Sequence, residues 1–284
     1  MPPYADATLI YDSDIPRYMD SKEIEPGVRI TNDRCVVFDR EKVLVIGDLH
    51  LGYERALEDE GMYLPRLNTE SIRELLNRIL EKYEPRTVVL LGDIKHDFRR
   101  AKFEGKEEVR NIVRLIADAA EPVIVKGNHD NYVQNIVADM GIDVVDYYDV
   151  GGYRLEHGHV DSGVRPVVIG HEHPSVRISG SMCGGIKMQC FMYARKEGVL
   201  VIPPFSFLSS GTDFSSGLQE DFMSPPAGRA TWPPRSSTAS RTSASWSSAN
   251  WAGRPSYTFD HLGILLNIDS RTLIIRVGYI NHPS

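Results

Sequence analysis

Residues 43–52 read VLVIGDLHLG, and this stretch gives the clearest indication of the fold class. The run of Val43–Ile46 is purely aliphatic, which is typical of a strand buried on both faces of a sheet. Gly47 then lets the chain turn sharply, and Asp48 and His50 follow where the strand ends. The stretch therefore predicts a strand of an α/β sheet that carries side chains able to bind a metal at its carboxyl end.

The same arrangement of Gly beside Asp, Asn or His recurs later in the chain. It is found in GDIKHD (92–97) after the strand Thr87–Leu91, in KGNHD (126–130) after Val123–Val125, in EHGH (156–159) and in GHEH (170–173). The carboxyl ends of strands line the ligand crevice of open α/β sheets, and carboxylate, amide oxygen and imidazole groups bind divalent transition metals. A single Asp after a strand is most often a turn residue or a helix cap. Five such sites favour a centre for two metal ions that share one carboxylate.

Helical patterns alternate with these strands. Apolar side chains recur at helical spacing in Thr69–Tyr83 and from Lys106 to Ala120, so we expect a layered α/β domain. The other expected strands are Cys35–Phe38, in a hairpin with Val43–Gly47, and Val144–Val145, Tyr153–Glu156, Val167–Ile169, Lys187–Tyr193 and Val199–Ile202. This pattern predicts an N-terminal extension over residues 1–34 and a main domain over residues 35–223, antiparallel or mixed in its second half.

The segment Ser224–Ser256 differs from the rest of the chain. It holds nine Ser, four Arg and three Trp, and it has no Asp, Glu, Lys, Leu, Ile or Val. Such a composition buries too little apolar surface to offset the entropy of ordering, so we expect a disordered linker. One alternative is a local shift of reading frame that ends near Tyr257. Another is a surface on which single-stranded nucleic acid stacks. Residues 257–284 should add a β-hairpin, Leu262–Ile268 with Thr272–Val277, to the main domain.

The net charge indicates the class of substrate, and the cysteine content indicates the cellular compartment. The chain carries a formal charge of −7, and without Ser224–Ser256 it has 28 basic and 39 acidic residues, which makes −11. Extended nucleic-acid surfaces are normally basic, so this charge favours small substrates or short single-stranded ends. Three cysteines without CxxC spacing fit a reducing compartment. No apolar run reaches the roughly 18 residues of a membrane helix, so we expect a cytoplasmic protein with no membrane partner.

The motifs GDLH, GD, GNHD, HGH and GHEH, in this order, resemble those of the calcineurin-like metallophosphoesterase superfamily, from about Val36 to Phe222. More narrowly, GDLHLGYE, GDIKH and VLVIPPFSFLSSGTDF (199–214) resemble the ICC-like phosphoesterases. The bacterial relatives of that family include phosphodiesterases associated with DNA ligase. The resemblance implies a four-layer αββα sandwich with mixed sheets and two divalent metal ions at the strand tips. We expect Mn²⁺, and Fe, Zn, Ni and Co are compatible with the same ligands.

The resemblance also implies two ligand sets that share one carboxylate. These are Asp48, His50 and His173 for the first metal, Asn128, His157 and His171 for the second, and Asp93 for both. Within HGH, the superfamily uses the His immediately before the Gly, which favours His157 over His159 as the ligand. His159 is then a candidate contact to the substrate or to a ligand.

Two further histidines are implied to act in catalysis. His129 matches the superfamily's catalytic His, which protonates the leaving oxygen or stabilises the phosphoryl oxygens, and imidazole suits both tasks because its ordinary pKa lies near neutrality. His96 stands where serine/threonine phosphatases have Asp, and it resembles the phosphate-positioning His of double-strand-break repair nucleases. Alternatively, His96 is a loop residue bonded to Asp97. Lys95 and Arg99 either support the phosphate or belong to a solvated charged face.

The implied reaction is hydrolysis of a phosphodiester by in-line attack of a metal-bridging hydroxide. The candidate substrates are nucleotides, cyclic nucleotides and short nucleic-acid ends. Two alternatives stay open. The first is a phosphomonoesterase, which the ratio of monoester to diester turnover distinguishes. The second is a non-catalytic scaffold of the same fold, although such scaffolds usually lose ligands and every ligand position is intact here.

Overall fold

The computed structural model describes residues 21–59, 61–62, 68–96, 103–178, 186–209, 211–214, 222–230, 263–265 and 272–277. Two β-sheets form its centre, and each consists of strands from one half of the chain. Helices lie on the outer faces of the sheets.

The first sheet has seven strands that follow one another in chain order. They are β1 (Ser21–Glu25), β2 (Val28–Thr31), β3 (Val36–Phe38), β4 (Val43–Ile46), β5 (Thr87–Leu91), β6 (Glu121–Val125) and β7 (Asp143–Val145). Strands β1 to β4 are antiparallel and β4 to β7 are parallel. The apolar runs that predict β3 to β7 thus form strands, but the sheet begins at Ser21, inside the stretch that the sequence suggests to be an extension.

The helices of the first half cover one face of this sheet. They are α1 (Tyr53–Asp59), α2 (Asn68–Tyr83), α3 (Phe103–Ala117) and α4 (Val133–Val137). In α2 the fully buried Ile72, Leu76 and Ile79 follow helical spacing and pack with Leu44 and Ile46 of β4. The predicted helix after Lys106 begins earlier, at Phe103, and it ends earlier, at Ala117.

The second sheet has nine strands of mixed direction. They are β8 (Tyr148–Val150), β9 (Tyr153–Glu156), β10 (Val167–Ile169), β11 (Pro174–Ile178), β12 (Ile186–Ala194), β13 (Val199–Val201), β14 (Thr212–Asp213), β15 (Gly263–Leu265) and β16 (Thr272–Val277). Strands β9, β10 and β13 are parallel neighbours. Strand β16 pairs in parallel with β12 and antiparallel with β15, so the C-terminal hairpin extends this sheet.

The two sheets pack face to face over an apolar core. Phe38 and Leu91 of the first sheet and Leu155 and Phe191 of the second are fully buried between them. On the outer face of the second sheet, the described residues form one short helix, α5 (Pro225–Arg229). The layers therefore run helix, sheet, sheet, helix, and the predicted αββα architecture with mixed sheets is confirmed.

The start of the unusual Ser/Arg/Trp segment is part of this architecture. Ser224–Ala230 lie at α5, and Ala227 and Ala230 are buried against the outer face of the second sheet. The small apolar area of Ala suffices there because the helix lies directly on the strands. Residues 231–256, for which the sequence predicts a disordered linker, lie outside the described residues. Among the residues that are described, no helix has the length and apolar character needed to cross a membrane.

Candidate metal centre

The candidate ligands lie where parallel strands of both sheets end. In the first sheet, Asp48, Asp93 and Asn128 follow the adjacent strands β4, β5 and β6. In the second sheet, His157 follows β9 and His171 follows its parallel neighbour β10. The backbone N–H of His171 donates to Asp48 Oδ2 over 3.1 Å. This bond joins the two sheets at the site, so the motifs of both halves converge at one edge, as expected for strand ends in α/β sheets.

Five candidate ligands have left-handed backbone conformations. The φ values are 55° for Asp48, 46° for His50, 47° for Asp93, 63° for His171 and 47° for His173. Such a conformation costs about 1–2 kcal/mol for a residue with a side chain, so it persists only where the surroundings enforce it. Nearby glycines allow the close packing that does so. A Cβ at Gly127 would lie 2.3 Å from Asp93 Oδ1, and one at Gly170 would lie 2.5 Å from Asp48 Oδ2.

The first cluster of candidate ligands consists of Asp48, His50 and His173, whose ligand atoms all lie within 4.8 Å of one another. His173 Nε2 is 3.1 Å from His50 Nε2 and 3.3 Å from Asp48 Oδ1. Burial and the neighbouring His173 together lower the pKa of His50 to about 3. His50 is therefore neutral at physiological pH, which is the form in which imidazole binds a metal.

The second cluster consists of Asp93, His157 and His171, again within 4.8 Å of one another. Asn128 joins it, because its Oδ1 lies 3.0 Å from His157 Nε2. His157 Nδ1 lies 3.1 Å from the carbonyl oxygen of Leu91, and since a carbonyl only accepts, Nδ1 carries the proton and Nε2 faces the cluster. Burial lowers the pKa of His157, but Asp93 and Asp48 outweigh it and raise this pKa to about 9.

The donor set of both clusters fits divalent transition metals. Each cluster offers one carboxylate and two imidazoles, a combination that suits ions such as Zn, Fe, Ni and Mn. The two Nε2 atoms of His50 and His173 can share at most one proton across their 3.1 Å separation, whereas a cation satisfies both lone pairs. Burial and the charge of His157 also lower the pKa of His171 to about 4, so this imidazole is neutral too. All seven residues of the predicted ligand sets thus meet at one place, and the sharing of Asp93 between two ions stays a prediction.

His129 lies beside the second cluster with a defined orientation. Its backbone N–H donates to Asp93 Oδ1 over 3.0 Å, and its Nδ1 donates to the carbonyl oxygen of His96 over 2.5 Å. Because Nδ1 holds that proton, Nε2 is left to face the cluster, and it lies 3.7 Å from Asp93 Oδ2. The His96 ring is 5.4 Å from the His50 ring and 3.9 Å from the ring of Tyr53, centroid to centroid. Both predicted catalytic histidines therefore adjoin the ligands.

Two of the residues predicted to contact the substrate, His159 and Lys95, differ in their exposure to solvent. His159 is exposed, and its ring lies 5.4 Å from that of His157 and 6.2 Å from that of His171, so it is at the rim and outside both clusters. Lys95 follows Asp93 by two residues in the same loop and is only 3% exposed, so it is not part of a solvated charged face. Arg99 lies outside the described residues.

Asp130 is a supporting residue that the sequence reasoning did not single out. It is 1% exposed and accepts backbone N–H groups of Ile94 and Gly127, both over 3.0 Å. It thereby ties the loop after β5 to the loop after β6. Burial, followed by the charge of Asp93, raises the pKa of Asp130 to about 6. The only signal in the sequence is the last letter of GNHD, which does not distinguish a ligand from a loop anchor.

The loop over residues 203–209 supports Asp48 from behind. The backbone N–H groups of Phe205 and Ser206 donate to the carbonyls of Gly47 and Asp48 over 2.8 and 3.2 Å. Arg34, which is 5% exposed, donates to the carbonyl of Ser206 over 3.2 Å. The sequence of this loop gives no indication that it contacts the site.

Comparison with known proteins supports the fold and the family. Residues 41–179 match the model of the family described as calcineurin-like phosphoesterase. Among solved structures, the crystal structure of Pseudomonas putida nuclease MPE is similar, with 23% identity over 68% of this chain and 90% of that chain and a TM-score of 0.54. No curated protein matches the chain.

Two further solved structures align less closely. The Aquifex aeolicus protein AQ665, of unknown function, has 18% identity over 46% of this chain and 78% of its own, with a TM-score of 0.32. The phosphoesterase YfcE from E. coli has 16% identity over 60% of this chain and 83% of its own, with a TM-score of 0.35. The family match spans all five motifs and both ligand clusters. Residues 41–179 of this chain are therefore similar to the calcineurin-like phosphoesterase family.

Proposed function

We propose that this protein is a metal-dependent phosphodiesterase with a binuclear centre. The observation that carries the proposal is the adjacency of two ligand clusters and one oriented imidazole. Asp48, His50 and His173 form one cluster. The other cluster contains Asp93, whose Oδ1 accepts the backbone N–H of His129. A phosphoester that reaches this edge meets two cation sites and a proton donor together.

The candidate ligands and His129 would have different roles in the reaction. Two divalent cations, for which Mn²⁺ is our expectation, would supply charge neutralisation of the phosphoryl oxygens and a nucleophile at neutral pH. Asp48, His50, Asp93, Asn128, His157, His171 and His173 would hold them. His129, with Nδ1 fixed on the carbonyl of His96, would present a protonated Nε2 to the leaving oxygen.

The charge distribution favours small diesters over long nucleic acids. Outside Ser224–Ser256 the chain carries a formal net charge of −11, and a net negative charge disfavours the approach of a polyanionic duplex. Cyclic nucleotides, linear nucleotide diesters and short single-stranded ends avoid most of that repulsion. The name of the similar Pseudomonas putida protein, a nuclease, is compatible with diester chemistry.

A metal-reconstitution assay tests this function. The protein is stripped of metal and reloaded separately with Mn²⁺, Ni²⁺, Co²⁺, Fe²⁺ or Zn²⁺, and hydrolysis of bis-p-nitrophenyl phosphate is compared with that of p-nitrophenyl phosphate. We expect metal-dependent turnover with the diester preferred. Preference for the monoester would identify a phosphomonoesterase instead, and a lack of turnover with every ion would overturn the proposal.

A further inference from the structure

Glu172 occupies an unusual position between two candidate ligands. It separates His171 of the second cluster from His173 of the first, and yet it belongs to neither. Its side chain is 0% exposed. The carboxylate Oε2 accepts the backbone N–H of Ser224 over 2.7 Å. A carboxylate within the ligand motif is thus used to bind a chain segment 52 residues further on.

A third segment closes around the same loop. The backbone N–H of Thr212 donates to the carbonyl of His173 over 3.1 Å, and Ser175 Oγ donates to the carbonyl of Thr212 over 2.7 Å. Gly211 passes so close that a Cβ there would lie 1.9 Å from the carbonyl oxygen of His173. Residues 171–175, 211–213 and 222–224 therefore form one interlocked unit.

The loop of residues 171–173 needs such support because two of its residues have left-handed backbone conformations. His171 and His173 have φ values of 63° and 47°, and left-handed conformations of this kind relax unless neighbouring groups hold them. A relaxation at either residue would turn its imidazole out of its cluster. Since the two histidines belong to different clusters, whatever holds the loop between them acts on both.

We propose that Glu172 is a positioning residue for both metal sites. By accepting the Ser224 N–H, its buried carboxylate fixes residues 171–173 and keeps His171 and His173 aimed at their clusters. The same bond makes Ser224–Ala230 part of the support of the site, because Ala227 and Ala230 anchor that segment on the second sheet. The inference rests on the proposed function only in that the two clusters bind divalent ions.

Metal binding by the full-length protein, rather than activity, tests this inference. Metal-free wild type, Glu172→Leu and Glu172→Gln are titrated with Co²⁺ by calorimetry, and the ligand-field absorption of Co²⁺ is recorded. We expect Glu172→Leu to weaken both sites about 10- to 100-fold, the usual effect of removing support behind a ligand, and to change the Co²⁺ spectrum. Glu172→Gln keeps an acceptor oxygen, so it should stay within about threefold of the wild type.

A reciprocal pair of variants covers the case in which Glu172→Leu does not fold. Ser224→Pro removes the donated N–H at a residue whose φ of −93° is near the range of proline. Ser224→Ala keeps the N–H and loses only the hydroxyl. We expect Ser224→Pro to weaken both sites as Glu172→Leu does, and Ser224→Ala to bind as the wild type does.

The outcomes separate this inference from the proposed function. If wild type binds two ions and both Glu172→Leu and Ser224→Pro bind them with unchanged affinity, the positioning role is wrong. Weakening of one site alone would also overturn the shared role. A wild type that takes up no Co²⁺ or Mn²⁺ would overturn the proposed function itself.

Discussion

The Nδ1–H of His129 donates to the carbonyl oxygen of His96 over 2.5 Å. This bond fixes the tautomer of His129 and leaves Nε2 facing Asp93 Oδ2 at 3.7 Å. The backbone N–H of His129 also donates to Asp93 Oδ1, so the imidazole is held from both ends. Such fixation suits a general acid, because it keeps Nε2, which would carry the transferred proton in the doubly protonated imidazolium, facing the cluster where a leaving oxygen must come within hydrogen-bond reach.

We therefore expect His129→Ala to lower kcat for an aryl phosphodiester by about 10²- to 10⁴-fold, the usual contribution of a general acid. Metal content should stay at the wild-type value, since His129 belongs to neither ligand cluster. Steady-state kinetics and elemental analysis of the same sample measure the two quantities. His159→Ala, at the rim of the site, is the matched control and should lose less. A His129→Ala variant that loses its metal instead would make His129 a ligand.

The predicted sharing of Asp93 leads to a second expectation. Asp93→Asn should lower the occupancy of both metal sites and reduce turnover about 100-fold or more, because one neutral amide would replace the charge that serves two cations. Metal stoichiometry measured after dialysis shows the effect. Asp130→Asn is the control, since Asp130 is equally buried but accepts the backbone N–H groups of Ile94 and Gly127 and belongs to neither ligand cluster. Loss of metal from the second site alone would show that Asp93 is not shared.

The candidate ligand His157 should release a proton when metal binds. Burial lowers its pKa, but Asp93 and Asp48 raise it to about 9 in the metal-free protein, so at pH 7 this imidazole is protonated. A cation must displace that proton from Nε2, and metal affinity should therefore rise with pH until about pH 9. Calorimetry in buffers of different ionisation enthalpy counts the protons released. A count near zero at pH 7 would contradict the raised pKa.

The same pKa has a consequence for the stability of the metal-free protein. A histidine whose pKa is higher in the folded state than in the unfolded chain stabilises the fold while it is protonated in both states. That contribution is complete below the unfolded value of about 6.5 and is lost as the pH rises through about 9. The free energy of unfolding, measured by urea titration without metal, should fall over this window. The single substitution His157→Gln, whose side chain cannot titrate, should remove this dependence.

Part of this architecture follows from local sequence and part does not. The runs at Thr87–Leu91 and Val123–Val125 predict buried strands because a strand covered on both faces needs apolar side chains at consecutive positions, and every residue of these runs is buried. Strand β1 escapes prediction because SKEIE has a single aliphatic residue and gains its pairing from β2. Its polar side chains suit an edge strand, which periodicity does not reveal.

The candidate site shows the same division. Resemblance to a known family groups the ligands, and their clustering agrees with it. The buried carboxylates of Asp130 and Glu172 are a different case, since each accepts a backbone N–H from a residue that folding brings close. Sequence alone does not separate a carboxylate that holds a metal from one that holds a loop, because both stand beside Gly and His in the same motifs.

Arg34 provides the last expectation, because it supports the first metal site from a distance. Its guanidinium donates to the carbonyl of Ser206 over 3.2 Å and lies 4.2 Å above the ring of Phe207. The Ser206 N–H in turn donates to the carbonyl of Asp48 over 3.2 Å. Arg34→Met keeps most of the apolar stem of the side chain and loses the donors. We expect it to destabilise the fold by about 1–3 kcal/mol, the cost of leaving buried carbonyls unpaired.

Arg34→Met should also weaken Co²⁺ binding at the site of Asp48 more than at the site of His157, because the 203–209 loop contacts the carbonyls of Gly47 and Asp48. Arg34→Lys is the matched control. Lysine retains the charge without the planar fork, so it should recover part of the stability but not the full contact with Phe207. Urea denaturation and Co²⁺ titration of both variants measure the two effects. Equal weakening of the two sites would mean that Arg34 acts through general stability and not through the loop behind Asp48.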